Sequence, residues 1–340
     1  MIQMEKLISI ITPTYNYGHL IHRLLDSILQ QTYSNIEMFV IDDGSTDNTK
    51  QVVEGYIAKF QKKGFTLNYV YQENQKLAKA INNGLKLITG EYLVWPDADD
   101  WYATPNALET MATTLDDTND EISCCRSLVH LIDENFVVAG KIEYKNITGK
   151  IFRDYLLGNN IMFVAGCFMV KTDILFKEID NRTIYSENFY HGQNRAILLP
   201  ILYNYKAVTV NKYLFCIFQN NISDSRKKRL YNEQIERSQS TCSAVITILE
   251  SIKKMPDEEK SGIILEILEK YHFSQLRIHF SSAKMKETRR SYKQMIIKNM
   301  NIPKKAKIFY LLSFVPYSNN VYGLLLSVNK KLIRLGLRKR

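Results

Sequence analysis

The first hundred residues alternate short, β-branched apolar runs with amphipathic stretches of helical period, and this alternation restricts the possible folds more than any other feature. Leu7-Ile8-Ser9-Ile10-Ile11 ends at Thr12-Pro13 and reads as a buried strand. Leu20, Ile21, Leu24, Leu25, Ile28 and Leu29 then share one face of a helix. Met38-Phe39-Val40-Ile41 forms a second strand, ended by Asp42-Asp43-Gly44-Ser45, and Val52, Val53, Tyr56, Ile57 and Phe60 stripe a second helix. Leu67–Tyr71 is a third strand and Leu77–Ile88 a third helix. A fourth strand, Tyr92–Trp95, runs into Pro96-Asp97-Ala98-Asp99-Asp100. Strands and helices joined by such short links imply right-handed crossovers and a mostly parallel, Rossmann-like sheet flanked by helices. Ligands of such sheets bind beyond the carboxyl ends of the strands, where both acidic clusters lie.

From about Glu121 the pattern changes. Ile122–Cys125, Val129–Ile132 and Phe136–Ile142 read as short strands, the last two joined by a hairpin turn at Asp133-Glu134-Asn135. Ile161–Val170 is an apolar run and Ala196–Tyr205 a helix, and strands return at Val208–Val210 and Leu214–Phe218. Helical periodicity dominates beyond Lys228, with Val245, Ile248, Leu249 and Ile252 in one stripe. The expected organisation is an α/β domain over 1–227 and a helical basic region over 228–340. The α/β domain divides into halves at 1–120 and 121–227.

Charge sharpens that division. The chain carries a net +10, yet no Asp or Glu follows Glu287, while Arg289 to Arg340 holds thirteen Lys and Arg. Upstream, 32 basic residues face 35 acidic ones. A near-neutral body argues against a nucleic-acid-binding core, and the basic tail suits an anionic surface. Five cysteines without CxxC spacing read as reduced thiols of a cytoplasmic protein. No signal peptide is legible, and no apolar run reaches the ~18 residues of a membrane span. In the tail, Ile308-Phe309-Tyr310-Leu311-Leu312 and Leu324-Leu325-Leu326 alternate with basic segments, a pattern suited to an interfacial helix on the inner face of a cell membrane.

Carboxylates crowded at a strand end repel one another, so Asp97-Ala98-Asp99-Asp100 calls for a cation. Mg²⁺ or Mn²⁺ prefers oxygen ligands and completes its shell with water and substrate phosphates, which leaves a second carboxylate for a ribose hydroxyl. An acidic loop capping the next helix would account for the same residues. At Asp42-Asp43-Gly44-Ser45, a strand-to-helix turn explains Gly44 and an N-capping Ser45 but not two adjacent Asp. Such an Asp can accept hydrogen bonds from a nucleobase imide or a ribose hydroxyl.

The order of these motifs resembles glycosyltransferase family 2. It runs from strand–Thr12-Pro13-Thr14-Tyr15-Asn16, through Gln30-Gln31-Thr32-Tyr33 and strand–Asp42-Asp43-Gly44-Ser45-Thr46-Asp47, to Gly90-Glu91-Tyr92 and strand–Asp-x-Asp-Asp. The resemblance is close across Ile8–Tyr102 and looser to about Arg226. It implies a GT-A fold and inverting transfer of a sugar from a nucleotide-sugar, commonly a UDP-sugar, to the hydroxyl of a saccharide or lipid-linked saccharide in polysaccharide or glycolipid synthesis. Pro13, Tyr15 and Asn16 would then line the nucleotide end of the pocket, and Asp43, with Asp42, would bind the base. Asp97 would approach the ribose, Asp99 would hold the divalent metal with Asp97 and Asp100 as further candidate ligands, and Asp100 would support the loop.

Two positions depart from the family pattern. The general base often sits in a Glu-Asp pair opening a helix, where this chain has Gly192-Gln193-Asn194, and amides make poor bases. Glu187, shortly upstream, is the resemblance's first candidate, and His191 the second. Where relatives carry a metal-reaching His, this chain has Ser223-Asp224-Ser225, so Asp224 is a candidate oxygen ligand or a helix cap. Phe163, Gly166 and Phe168 are expected to shape the acceptor pocket. Two rivals remain: a metal-dependent nucleotidyltransferase, and a membrane-attached assembly partner that keeps the fold without the base.

Overall fold

The structure, a computed structural model, describes residues 5–144, 151–157, 164–184, 192–219 and 229–315. The alternation read in the sequence appears as β1 (Ile8–Thr14), α1 (His22–Leu29), β2 (Ile36–Asp42), α2 (Thr49–Lys63), β3 (Thr66–Tyr71), α3 (Leu77–Leu87) and β4 (Tyr92–Val94). Every residue of β1 is buried, as befits a strand covered on both faces. β1 pairs in parallel with β2 and β4, and β2 in parallel with β3. β1 does not stop at Thr12-Pro13 but runs on to Thr14, with Pro13 opposite Ile41. Its pairing with β4 ends at Ile10, so Pro13 lies beyond the doubly paired stretch, where a missing N–H is tolerated. α3 sits close on this sheet: a Cβ on Gly84 would meet Ile11 Cγ2 at 2.5 Å.

The chain continues through β5 (Trp101–Tyr102), α4 (Ala107–Asp116), β6 (Ile122–Ile132), β7 (Val138–Ile142), α5 (Phe152–Leu157), β8 (Phe168–Lys171), α6 (Thr172–Glu178), α7 (Gln193–Asn204) and β9 (Lys206–Phe218). The nine strands of the described residues form one sheet in the order β3-β2-β1-β4-β8-β6-β9-β5, with β7 paired to β6. The half around β1 is parallel. β8 then enters antiparallel between β4 and β6. The four short strands expected at Ile122–Cys125, Val129–Ile132, Val208–Val210 and Leu214–Phe218 are in fact two long ones, β6 and β9, which pair in parallel. Ser127 faces Val210 while Leu128 faces Tyr213, so a bulge absorbs the polar Asn211 and Lys212 that look like a strand break in the sequence. The hairpin turn forms as expected, with Asp133 Oδ1 accepting the N–H groups of Asn135 (2.9 Å) and Val137 (3.0 Å).

By compactness the chain divides into two units: Met1–Lys227 with Thr247–Met255, and Lys228–Ile246 with Pro256–Arg340. The C-terminal region is helical, with α8 (Tyr231–Ser251), α9 (Asp257–Ser281), α10 (Met285–Ile297) and α11 (Lys304–Leu312). Val245, Ile248, Leu249 and Ile252 are all buried. Leu276, Phe280, Met295, Met300, Ala306 and Phe309 form the core shared by α9, α10 and α11. Each Leu, Phe or Met among them contributes about 1.5–3 kcal/mol through burial. Among the described residues no helix is long and apolar enough to cross a membrane. Burial pushes the thiols of Cys124, Cys167 and Cys216 up to about 12, so none is a ready nucleophile.

Candidate active site

The loops at the carboxyl ends of β1 and β2 are stitched together by polar groups. Asn16 adopts a left-handed conformation (φ 60°) that turns the chain sharply after Tyr15. Its Oδ1 accepts the N–H of Thr46 (2.8 Å) and of Asp47 (3.3 Å), while its own N–H donates to Ser45 Oγ (2.8 Å). Asp47 returns the link by accepting the N–H of Gly18 (3.0 Å). Ser45 is therefore not the N-cap of α2, which starts four residues later at Thr49; its hydroxyl serves the neighbouring loop. The capping work falls to Asp47, whose Oδ1 accepts the Thr49 N–H (2.9 Å). Burial works against the Asp47 charge, but the bonds from Thr49 and Gly18 and the nearby His19 hold its carboxyl below the usual range. In the sequence, Asp47-Asn48-Thr49 just ahead of an apolar stripe is the signal for this cap.

Asp42 and Asp43 end β2 buried, and the protein's own donors surround both. Asp42 Oδ1 accepts the Ser45 N–H (2.8 Å), and Oδ2 accepts the Tyr69 hydroxyl (2.6 Å). Burial first, then this bond to Asp42, raises the Tyr69 phenol. Asp43 Oδ1 accepts Gln72 Nε2 (2.7 Å) and the Gln75 N–H (2.8 Å), and Oδ2 accepts the Lys76 N–H (2.9 Å). Asp43 thus clamps the β3–α3 loop, whose Lys76 has φ 74°. Each carboxylate oxygen has two lone pairs, so Oδ2 keeps capacity for one further donor. Gly44 turns the chain at φ +88°, and a Cβ there would lie 3.0 Å from the Asn74 N, so the turn needs glycine twice over.

At the end of β4 the carboxylates are differently disposed. Asp100 is buried, and its Oδ1 accepts the Phe218 N–H (2.9 Å), tying the loop to β9. Asp97 and Asp99 are half-buried. Burial, and then the charge of Asp99, push the Asp97 carboxyl up to about 7. Two hard oxygen donors that destabilise each other's charge suit a divalent cation. Among the described residues no group of three or more His, Cys, Asp or Glu gathers to hold an ion by itself. This set fits Mg²⁺ or Mn²⁺, which need only one or two protein carboxylates when a diphosphate supplies the remaining oxygens.

Tyr15 stands nearly half exposed (48%) rather than in the core, and Pro13 is buried within β1. Gly192 (φ +128°) leads into α7, and Asn194 Oδ1 accepts the indole N–H of buried Trp95 at 2.7 Å. That bond links the start of α7 to the segment carrying Asp97. Phe168 is fully buried against Trp95 and Tyr155, and a Cβ on Gly166 would strike Phe215 at 2.2 Å. Both belong to the core rather than to a pocket wall, which corrects that expectation. β6 also buries a charge. Arg126 on β6 is 1% exposed, donates from Nε to Thr209 Oγ1 (3.2 Å) and lies 3.7 Å over the Tyr144 ring.

The sequence matches the profile of Glycosyl transferase family 2 over residues 9–179, the stretch that contains every strand-end carboxylate described above. The chain belongs to glycosyl transferase family 2. An uncharacterised glycosyltransferase of Rickettsia typhi is 35% identical over 181 residues, which cover 52% of this chain and 53% of the relative. The glycosyltransferase GlyG of Streptococcus pneumoniae is 32% identical, covering 62% of this chain and 60% of its own. The chain thus spans roughly half to three-fifths of the length of these curated relatives. Among solved structures, TarS 1-349 of S. aureus in complex with UDP-GlcNAc matches with a TM-score of 0.59 at 17% identity, over 92% of this chain and 87% of that one. The mannosyltransferase PcManGT of Pyrobaculum calidifontis, in complex with GDP-Man and Mn²⁺, matches with a TM-score of 0.53 at 17% identity, over 95% and 88%. At these identities the likeness establishes the fold, a GT-A-like α/β architecture.

In this family 2 chain the residues expected at the nucleotide end, Tyr15, Asn16, Asp42 and Asp43, therefore come together on the stitched loops beyond β1 and β2. Asp97, Asp99 and Asp100 share the loop beyond β4. Glu187, His191, Asp224 and Phe163 lie outside the described residues.

Proposed function

We propose that the chain is an inverting, divalent-metal-dependent glycosyltransferase that moves a sugar from a UDP-sugar to an acceptor hydroxyl in surface polysaccharide or glycolipid synthesis. The observation that carries this reading is the Asp97–Asp99 pair at the end of β4, where burial and then the neighbouring Asp99 charge raise a carboxyl that a cation would return to its charged form. The UDP and UDP-GlcNAc complexes of TarS support a uridine donor, and the Mn²⁺ complex of PcManGT supports the metal. In this reading residues 1–120 bind the donor, 121–227 receive the acceptor, and 228–340 hold the enzyme peripherally on an anionic cytoplasmic leaflet.

The exposed ring of Tyr15 offers a stacking face for the base, and Asp43 Oδ2 keeps a lone pair that could accept a donor such as an imide N–H. Asp97 meets the ribose, and Asp99, with Asp97, would hold Mg²⁺ or Mn²⁺. When bound, the ion would neutralise charge developing on the departing diphosphate. Asp100 keeps this loop in place through Phe218. The acceptor hydroxyl must lose its proton to a carboxylate or imidazole, and Glu187, then His191, is assigned that role; Asp224 is a further candidate metal ligand. General-base assistance of this kind contributes about 10²–10⁴-fold.

Thermal shift with a panel of nucleotides, with and without Mn²⁺, tests the reading on the wild type and on Asp99→Ala. Stabilisation by UDP that needs both Mn²⁺ and Asp99 is the expected result. Shifts independent of metal and of Asp99 would sink the metal assignment. Release of UDP rather than pyrophosphate on turnover separates this reading from a nucleotidyltransferase. One observation favours a second reading, a non-catalytic assembly partner: Asn194 stands where relatives place the base and is held by Trp95. Donor binding without turnover under every acceptor tried would favour it.

A further inference from the structure

α10 and α11 carry a feature that donor chemistry leaves unused. Lys286, Arg289, Arg290 and Lys293 recur at helical spacing on one face of α10, and together with Tyr310 and Phe314 they line a groove of about 490 Å³. Among the described residues no Asp or Glu lines it. The one carboxylate of α10, Glu287, acts on Tyr231 and His279 instead. Arg289 is fixed in place, with Nη1 donating to the Ser313 carbonyl (3.3 Å) and its guanidinium 4.7 Å over the Phe314 ring. Tyr292 and Tyr310 stack at 4.3 Å and hold the two helices together. Lys286, Arg290 and Lys293 make no ion pair among the described residues. The groove is thus a built cationic surface on a rigid helix pair.

Exposed apolar side chains accompany it. Of the lining, Ile297 is 73% exposed and Phe314 58%, and elsewhere on the two helices and just beyond them Leu311 (65%), Ile296, Ile308 and Val315 are exposed too. A polyanion such as RNA would satisfy the cations but would gain nothing from exposed aliphatic side chains. A bilayer rewards both, because phosphates meet the cations while the aliphatic and aromatic side chains enter the headgroup–acyl boundary. We propose that the α10–α11 groove docks on an anionic lipid bilayer by binding headgroup phosphates, with Leu311 and Phe314 entering the interface. This deepens the peripheral placement proposed above, rests on it, and assigns it to residues 286–315 rather than to the terminal basic segment.

The test sediments the full chain with vesicles of phosphatidylglycerol and phosphatidylethanolamine, and with phosphatidylcholine vesicles as control. Wild type is expected to partition onto the anionic vesicles alone. Arg290→Gln with Lys293→Gln should lower that partitioning about fivefold for each cation removed. Leu311→Ser with Phe314→Ser should lower it on the same vesicles, while the charge-preserving Arg290→Lys with Lys293→Arg keeps it. All these side chains are on or near the surface, and the UDP thermal shift of each variant reports that the fold and the donor site are intact. A second full-length variant, with Lys330, Lys331, Arg334, Arg338, Lys339 and Arg340 changed to Gln, is expected to retain the groove-dependent part of the binding. Wild-type binding unaffected by the α10 and α11 changes but abolished by the tail changes would overturn the groove and spare the peripheral placement. No wild-type sedimentation at all would overturn both. Binding of a single-stranded RNA, or of inorganic phosphate, that is tighter than to vesicles and equally lost in the Arg290–Lys293 variant would overturn the bilayer as occupant.

Discussion

The ends of β2 and β4 both present adjacent carboxylates at the rim of the same sheet, yet they solve the problem of buried charge in opposite ways. Beyond β2, Asp42, Asp43 and Asp47 accept hydrogen bonds from Ser45, Tyr69, Gln72, Gln75, Lys76, Thr49 and Gly18. Their charges are absorbed by the protein and hold its loops in shape. Beyond β4, Asp100 is absorbed in the same manner by Phe218, but Asp97 is raised by its surroundings and by Asp99. In the proposed reading, the difference separates carboxylates that build the site from carboxylates that would hold a cation. Residue type alone does not make that distinction; it follows from which backbone N–H groups point at each oxygen.

The largest effect that would break this contrast is on turnover. Asp99→Asn should lower sugar transfer by at least ~10²-fold, because the charge-stabilising donor is lost, while thermal stability stays level or rises as repulsion on Asp97 is relieved. Loss of both activity and stability would place Asp99 among the scaffold carboxylates instead. Next in size, Asp43→Ala should destabilise the fold by about 2–4 kcal/mol in chemical denaturation, since it leaves the Gln75 and Lys76 N–H groups and the Gln72 amide without their acceptor. A negligible change would mean that the β3–α3 loop is held by other contacts.

pH sharpens the comparison further. A carboxyl whose folded value lies above its unfolded one, about 3.9 for Asp, favours folding fully only below that unfolded value. The benefit is lost as pH rises through the folded value, about 7 for Asp97. Metal-free protein should therefore lose stability from near pH 4 to pH 7 in melting experiments, with a shallower slope in Asp99→Asn and in saturating Mn²⁺. Asp47, held low, contributes with the opposite sign: its stabilisation is present above its unfolded value and is lost as acid protonates it. The smallest expected effect is that of Tyr69→Phe, which removes one bond to Asp42 and should cost about 1–1.5 kcal/mol in the same denaturation assay, with donor binding unchanged.

The parallel half of the sheet was legible because each strand there is a short apolar run bounded by turn residues, and each helix shows its stripe. The other half was harder to read. Asn211 and Lys212 interrupt an apolar run just as a loop would, and only pairing with β6 shows them to be a bulge in a long strand. Arg126 follows directly after the apolar run Ile122–Cys125, and only the long β6 shows that it lies inside the sheet. Within the site, the motif order pointed to the right loops, but the division of labour among their oxygens did not follow from it. Ser45 looked like a helix cap because it follows a Gly after a strand, whereas the helix begins only where Asp47 and Thr49 can close its first turn. The Asn194–Trp95 bond joins positions 99 residues apart and has no local signature.

The mutual bonding of Asn16, Ser45, Asp47 and Gly18 has a consequence for how such proteins diversify. Two loops that are distant in sequence behave as one part, so neither can be lengthened, shortened or exchanged with a relative's loop without its counterpart. Chimaeras that swap residues 15–18 alone should lose the shape of these paired loops, whereas those carrying 15–18 and 44–49 together should keep it. In the proposed reading, whatever these loops contribute to recognising the base would be inherited as a pair.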